Sequence, residues 1–309
     1  MPAYAELDSL IALQFKARGF TFLPRQPVHS LLAGRRASRM RGRGLDFEEL
    51  RNYVSGDDVR TIDWRVTARA QKPYVRVFTE ERDRPGLLVV DQRINMFFGS
   101  RVSMKSVIAA ELAALAAWRV FQQGDRIGAL IFNDEQIDDL RPHRSRASVL
   151  RILQSIVQRN HELRADHPVR PNPSQLNTVL DHVSRISRHD FLIVIASDFD
   201  GANAQTRDLL LRLSQHNDVV CVLTYDPLAV HLPPASEIVV SDGELQVEIP
   251  IGKDVIRKSI LEASDRRIHS ILAWQHEIGI PVLPLSTAED VSTQVLHLLG
   301  GAATRRTRR

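Results

Sequence analysis

The chain has 309 residues, 43% of them hydrophobic and 25% charged, which is enough apolar material for a sizeable core. No run approaches the roughly 18 uninterrupted apolar residues that a membrane helix needs, and the opening stretch lacks a basic start followed by an apolar run. Neither a membrane span nor a signal peptide is therefore predicted. A single cysteine, Cys221, excludes an internal disulfide; inside the apolar run VVCVLT it reads as an inert core thiol, and the expected compartment is the cytoplasm.

The formal net charge of +4 hides a segregation. Residues 35–82 hold 12 Lys/Arg against 8 Asp/Glu, and the end of the chain adds Arg305, Arg306, Arg308 and Arg309. The remainder, with 25 basic and 29 acidic residues, is mildly acidic. A basic module and tail suit an anionic partner, but arginines also solvate surfaces and pair with neighbouring acids.

In chain order, Leu7–Ala17 has the spacing of a short amphipathic helix, and the Gly/Arg-rich stretch Gly34–Gly44 reads as loop. Phe47–Tyr53 suggests a helical turn or two, and Tyr74–Thr79 alternates like a strand. From about residue 86 the pattern becomes regular. Strands are predicted at Leu87–Val90, Ile127–Phe132, Phe191–Ser197, Val219–Thr224 and Val282–Leu285. They are short runs of branched residues, as in strands buried on both faces. Helices are predicted at Ser103–Gln123, Ser145–Gln158, Ser174–Ser187, Ala204–Gln215, Asp254–Glu277 and Glu289–Leu299. In the first, Ile108, Leu112, Leu115 and Ala116 share one face and Gly124 is placed to end it. Ile238–Ile249 reads as a hairpin about Ser241-Asp242-Gly243. Strands alternating with helices of this length predict an α/β, doubly wound, mostly parallel sheet preceded by an irregular basic module. The expected boundaries are 1–83 for that module, 84–301 for the sheet domain and 302–309 for a disordered basic tail.

The chain has no phosphate-cradling GxxxxGK[ST] loop, no GxSxG elbow and no Cys/His cluster at zinc spacing. Two features do carry chemistry. Asp91 and Asp198 each follow a predicted strand, the edge where doubly wound sheets gather ligands. Carboxylates there suit Mg²⁺, although Asp also caps helices well. The second feature is the segment 34–83. Within it Gly56 permits a tight turn, and Asp57 or Asp58 can cap the turn after it. Trp64 is a large anchor to bury, and Arg51, Arg60, Arg65 and Arg69 can fork onto Asp57, Asp58 and Asp63. A structural clamp and a docking surface both fit that composition.

The residues from Gly34 to Ser38, then Gly44-Leu45-Asp46-Phe47, Leu50-Arg51, Tyr53, Gly56-Asp57-Asp58, Arg60, Ile62-Asp63-Trp64, Ala68-Arg69 and Val75-Arg76 form one constellation. Lys105, Gly124-Asp125-Arg126, Ser197-Asp198-Phe199 and Asp226-Pro227 continue it. Together, across roughly residues 30 to 300, they resemble the bacterial family called domain of unknown function 58. The resemblance implies a von Willebrand A-like domain and an accessory role with a MoxR-type AAA+ ATPase, in assembly, activation or cofactor insertion of client complexes. Many relatives carry N-terminal membrane helices; none is predicted here.

The family's metal-ion-dependent adhesion-type loop reads Asp-x-Ser-x-Ser or a close variant. Here the matching positions are Asp91, Arg93 and Asn95, with a later hydroxyl near Ser174 and a further acid at Asp198. Arginine in place of a serine sets a permanent cation beside the metal seat. The expectation is therefore a degenerate loop in which Arg93 serves as internal counter-ion, with no cofactor. Mg²⁺ held by Asp91, Asn95 and Asp198 is the alternative. The functional expectation is a non-enzymatic adaptor that docks on a MoxR-type ATPase or its client. The alternatives are a nucleic-acid-binding protein using the Arg cluster and tail, and a metal-dependent hydrolase built on Asp91 and Asp198.

Overall fold

The computed structural model describes residues 3–20, 45–55, 57–80, 84–164, 170–229, 237–241, 246–250 and 254–300. The stretch 34–44 predicted as loop, Gly56, residues 242–245 of the predicted hairpin and the predicted tail from 302 lie outside them. The chain divides into two compact units, one of residues 1–24 with 84–309 and the other of residues 25–83.

The elements, in chain order, begin with α1 (Leu7–Ala12), β1 (Leu45–Asn52), α2 (Trp64–Ala70) and β2 (Tyr74–Glu80). Next come β3 (Gly86–Asp91), α3 (Lys105–Gln122), β4 (Ile127–Phe132), β5 (Ile137–His143), α4 (Arg146–His161) and α5 (Gln175–Ile186). The remainder are β6 (Leu192–Ser197), α6 (Ala204–Ser214), β7 (Asp218–Tyr225), β8 (Glu237–Ser241), β9 (Gln246–Pro250), α7 (Asp254–Glu277), β10 (Val282–Ser286) and α8 (Val291–Gly300).

In the larger unit six strands form one sheet in the order β10-β7-β6-β3-β4-β5, parallel throughout except for β5. Counting only these strands along the chain, the spatial order is 3-2-1-4-5-6, that of a doubly wound sheet whose winding reverses between its first and fourth strands. Those strands are β3 and β6. Every residue of β3, β4 and β6 is buried, because helices cover both faces. Alternation along β3 sends Leu88 and Val90 into one core with α1, α3, α4 and α8, and Leu87 and Val89 into the other with α5, α6 and α7. Each such side chain contributes about 1.5–3 kcal/mol on burial. Helix α3 is buried on nearly every side, which explains its run of small and apolar residues, KSVIAAELAALAAW. Among the described residues no helix is long and apolar enough to cross a membrane.

Three expectations are corrected. The first 20 residues do not belong with the basic module: Ala5, Leu10, Ala17 and Phe20 are buried in the α1–α3–α4 core, and the Trp118 indole donates to the Leu10 carbonyl at 3.1 Å. Phe47–Tyr53 is not helical. Its residues pair antiparallel with β2 through a bulge at Phe47/Glu49, so cross-strand hydrogen bonds override the helix propensity of its glutamates and leucine. The described part of the smaller unit is accordingly ordered, a strand pair enclosing α2, rather than irregular. Finally, β5 was not foreseen. Its sequence, IDDLRPH, is polar because the strand is a half-exposed antiparallel edge, where Pro142 is tolerated.

Candidate functional site

The site lies where the winding reverses. Asp91 ends β3 and Asp198 follows β6, so neighbouring parallel strands deliver two carboxylates to one crevice. Both are buried, and between them sits Arg93, only 1% exposed. The β3–α3 connection leaves the strand at Gln92, whose backbone N–H donates to the Phe132 carbonyl, and tightens into a single 3₁₀ turn at Ile94–Met96. That path folds the Arg93 side chain back over Asp91.

Arg93 makes a closed set of contacts. Its backbone N–H donates to Asp91 Oδ1 at 3.0 Å, Nε to the same oxygen at 3.0 Å, and Nη2 to Asp91 Oδ2 at 2.7 Å. Nη1 faces the carbonyls of Asp200, Asn172 and Pro173 at 3.1, 3.4 and 3.5 Å. Nη2 is also 3.9 Å from Asp198 Oδ1, and the guanidinium lies over the Phe132 ring. Ser197 Oγ donates to Asp91 Oδ2 at 2.6 Å. Asp198 Oδ2 takes Lys105 Nζ at 2.5 Å, and its Oδ1 accepts the Asp200 N–H.

Lys105 comes from the first residue of α3, so that helix aims an ammonium across the crevice. Phe199 adopts a left-handed backbone, φ 53°, held by burial against Trp274 with the rings edge-on at 5.4 Å. This turn presents the Asp200 carbonyl to Arg93 and the Asp200 side chain to Asn95 Nδ2 and Arg267 Nη1. Burial works against charge on Arg93, yet Asp91, with Asp198 and Asp200 behind it, outweighs that and holds its pKa above the ordinary guanidinium value. Burial likewise opposes the Asp198 carboxylate, and Lys105, helped by Arg267 and the Asp200 N–H, keeps its pKa below the usual carboxylate range.

The structure thus brings Asp91, Arg93 and Asp198 together, with Asn95 one contact away on Asp200. Ser174 is not among them. It is exposed and donates to Asn172 Oδ1, so its loop offers Arg93 backbone carbonyls instead of a hydroxyl. Lys105 and Ser197 were visible in the sequence only as motif positions, and Asp200 and Arg267 not at all. The acidic spacing Asp198-x-Asp200 is the signal that marks Asp200. Every oxygen of Asp91 and Asp198 already accepts from the chain's own donors, and a permanent cation lies between the two carboxylates. A divalent ion needs several free oxygens at about 2.0–2.6 Å, so the residues as arranged do not fit one.

A second buried network meets the same loop. Gln92 Nε2 donates to the Ser106 carbonyl, Asn160 Nδ2 donates to Gln92 Oε1 at 2.8 Å, and the Ala5 N–H donates to Asn160 Oδ1 at 2.7 Å. Tyr4 stacks on Phe97 at 5.5 Å. The N-terminal segment is thereby bonded, through two buried amides, to the residue between Asp91 and Arg93.

In the smaller unit the acids fold the backbone. Arg51 forks onto Asp57 at 2.7 and 2.8 Å, and Asp57 also accepts the Val54 N–H. Asp58 accepts the Arg60 N–H, and Asp63 caps α2 through Arg65 N and Val66 N while binding Arg76 Nε at 2.8 Å. Tyr53 is half-buried, its N–H donating to the Pro73 carbonyl. Among the described residues the side chains of Arg60, Arg65 and Arg69 make no fork, and Asp57 and Asp63 are engaged by backbone N–H groups and by Arg51 and Arg76. Trp64 is not buried either: it is 69% exposed, with Val54 at 61% and Val59 at 59%. It is the first residue of α2, and a stripe of exposed residues runs on from it through Arg65, Ala68 and Arg69, with exposed Lys72 just past the helix end.

The geometry defines a doubly wound α/β domain with a closed ionic cluster at its switch point, accompanied by a small basic unit. The chain belongs to the family described as "Protein of unknown function DUF58", which matches residues 49–269. It is 28% identical over 279 residues to proteins described as uncharacterized from Mycobacterium tuberculosis (strain H37Rv) and Mycobacterium bovis, covering 89% of this chain and 85% of theirs. Among solved structures it is similar to the conserved hypothetical protein BatB from Bacteroides thetaiotaomicron, at 9% identity and a TM-score of 0.41, covering 68% of this chain and 93% of that one. It is also similar to the SpRpn10 VWA domain, at 10% identity and a TM-score of 0.35, covering 70% and 94%.

Proposed function

We propose that the chain is a non-enzymatic, cytoplasmic interaction module that docks a partner protein through the α2 stripe. The observation that carries this reading is Trp64, a large apolar side chain left in solvent at the head of a helix whose exposed face also carries Arg65 and Arg69, with Lys72 just beyond it. Exposed indoles flanked by arginine are the composition of binding hot spots. Among the described residues Arg60, Arg65, Arg69 and Lys72 have no side-chain partner, so an acidic face with an apolar recess would complement them. The family resemblance suggests who brings that face: a MoxR-type AAA+ ATPase or its client.

The test is binding of the full chain to a purified MoxR-type ATPase from the same organism, by biolayer interferometry. Trp64→Ala and the pair Arg65→Glu/Arg69→Glu should each weaken binding at least about tenfold, a loss of about 1.4 kcal/mol or more. Absence of binding by the wild-type chain would remove the ATPase as partner. The same unpaired cations favour a second reading, nucleic-acid binding, whose signature is a steep loss of affinity with rising salt. The exposed aliphatic Val54 and Val59 have no use on a phosphate backbone and favour protein. A gel shift with random duplex and single strands separates the two.

A further inference from the structure

We infer that Arg93 and Lys105 together stand in for a divalent cation, so that the crevice at the switch point is loaded with charge from its own chain and works without metal. This inference is independent of which partner the α2 stripe binds. Two carboxylates, Asp91 and Asp198, face two cations in a site closed to water, and the sum is neutral. The division of labour follows from shape. The planar guanidinium can satisfy the edge of Asp91 through Nε and Nη2 while its remaining nitrogen reaches three backbone carbonyls; a lysine cannot do both. The compact ammonium of Lys105 suits the single free oxygen of Asp198. The guanidinium keeps its proton at neutral pH, so an incoming divalent ion would meet fixed positive charge in a medium that screens it poorly.

The surroundings of the guanidinium are the reason to read it as a stand-in rather than as an ordinary buried ion pair. The polar partners of its Nη atoms are oxygens, Asp91 Oδ2, Asp198 Oδ1 and the carbonyls of Asn172, Pro173 and Asp200, with Ser197 Oγ also bonded to Asp91. These are hard donors of the kind that hold Mg²⁺ or Mn²⁺. Removing the guanidinium leaves the cradle with excess negative charge and takes a donor away from the Pro173 and Asp200 carbonyls, which a hydrated divalent ion can satisfy.

The experiment uses the full chain stripped with EDTA and Mn²⁺ as probe, read by electron paramagnetic resonance. The wild type should show no saturable binding tighter than about 1 mM, and Arg93→Ser should bind at least about tenfold more tightly. That gain should be abolished by adding Asp91→Asn. A folded Arg93→Ser chain that binds Mn²⁺ no better than the wild type overturns the inference, as does saturable wild-type binding that Asp91→Asn removes. Should circular dichroism show Arg93→Ser unfolded, the wild type decides alone through its melting temperature. Equal values in EDTA and in Mg²⁺ support the stand-in, and a rise with Mg²⁺ that Asp91→Asn cancels refutes it.

Discussion

Two regions of this protein use the same side chains to opposite ends. At the switch point of the larger unit, arginine, lysine and aspartate are buried, mutually satisfied and closed to solvent. On α2 of the smaller unit, aspartate is taken up in capping the backbone, and the arginines beside an indole are left in water. The contrast teaches that an Arg/Asp-rich stretch has no fixed meaning. Desolvation makes the first set an integral part of the fold, where breaking a pair costs several kcal/mol; solvation leaves the second set nearly neutral in energy and available to a partner.

The sharpest way to break this comparison is to remove one member of the buried cluster. Arg93→Ala should destabilise the chain by about 3–5 kcal/mol in urea unfolding, because Asp91 would remain buried and uncompensated. The acid limb carries the same signature. With its folded pKa depressed, Asp198 contributes stability that is complete above its unfolded value near 3.8 and is lost as pH falls through the lower folded value. Asp198→Asn should therefore flatten the loss of stability below about pH 4, measured by melting temperature against pH.

Next in size is the amide relay behind the site loop. Asn160→Leu leaves the Gln92 oxygen and the Ala5 N–H unpaired and should cost about 1–3 kcal/mol, with faster hydrogen exchange in residues 92–98. Unchanged exchange there would show that the N-terminal segment and the site loop are not coupled. Glu111 offers a half-buried carboxyl: desolvation, reinforced by Asp290 and only partly relieved by Lys16, pushes it up to about 7. A raised folded pKa gives stability that is full below pH 4.5 and declines as pH rises through about 7. Glu111→Gln should accordingly stabilise at pH 8 relative to pH 5, by about 1–2 kcal/mol. The smallest stability effect belongs to the exposed set. Trp64→Ala should change the unfolding free energy by no more than about 0.5 kcal/mol while weakening partner binding, and a large stability loss would mean that the indole is covered in solution.

Much of the fold was legible in the chain. Continuous branched runs such as Leu87–Val90 and Phe191–Ser197 announce strands buried on both faces, and the amphipathic stretches between them announce the crossover helices. Asp91 and Asp198 were legible for the same reason, since a doubly wound sheet places strand ends in a common crevice. Polar edge strands were not legible: IDDLRPH carries no apolar alternation, because half of β5 faces water. The N-terminal helix was recognised as a helix, but its amphipathic pattern says only that one face is covered, not that α3 and α4 cover it.

By itself the sequence determined the alternation of strands and helices, the acids at two strand ends and the arginine beside one of them, because these follow from local periodicity and composition. Only the tertiary structure decided that Lys105 completes the charge balance 93 positions before Asp198, that Ser174 turns away, and that Trp64 lies outside a core. Each depends on which surfaces meet in three dimensions. Whether a side chain is desolvated, and by whom, is a property of the assembled layers and not of its neighbours along the chain.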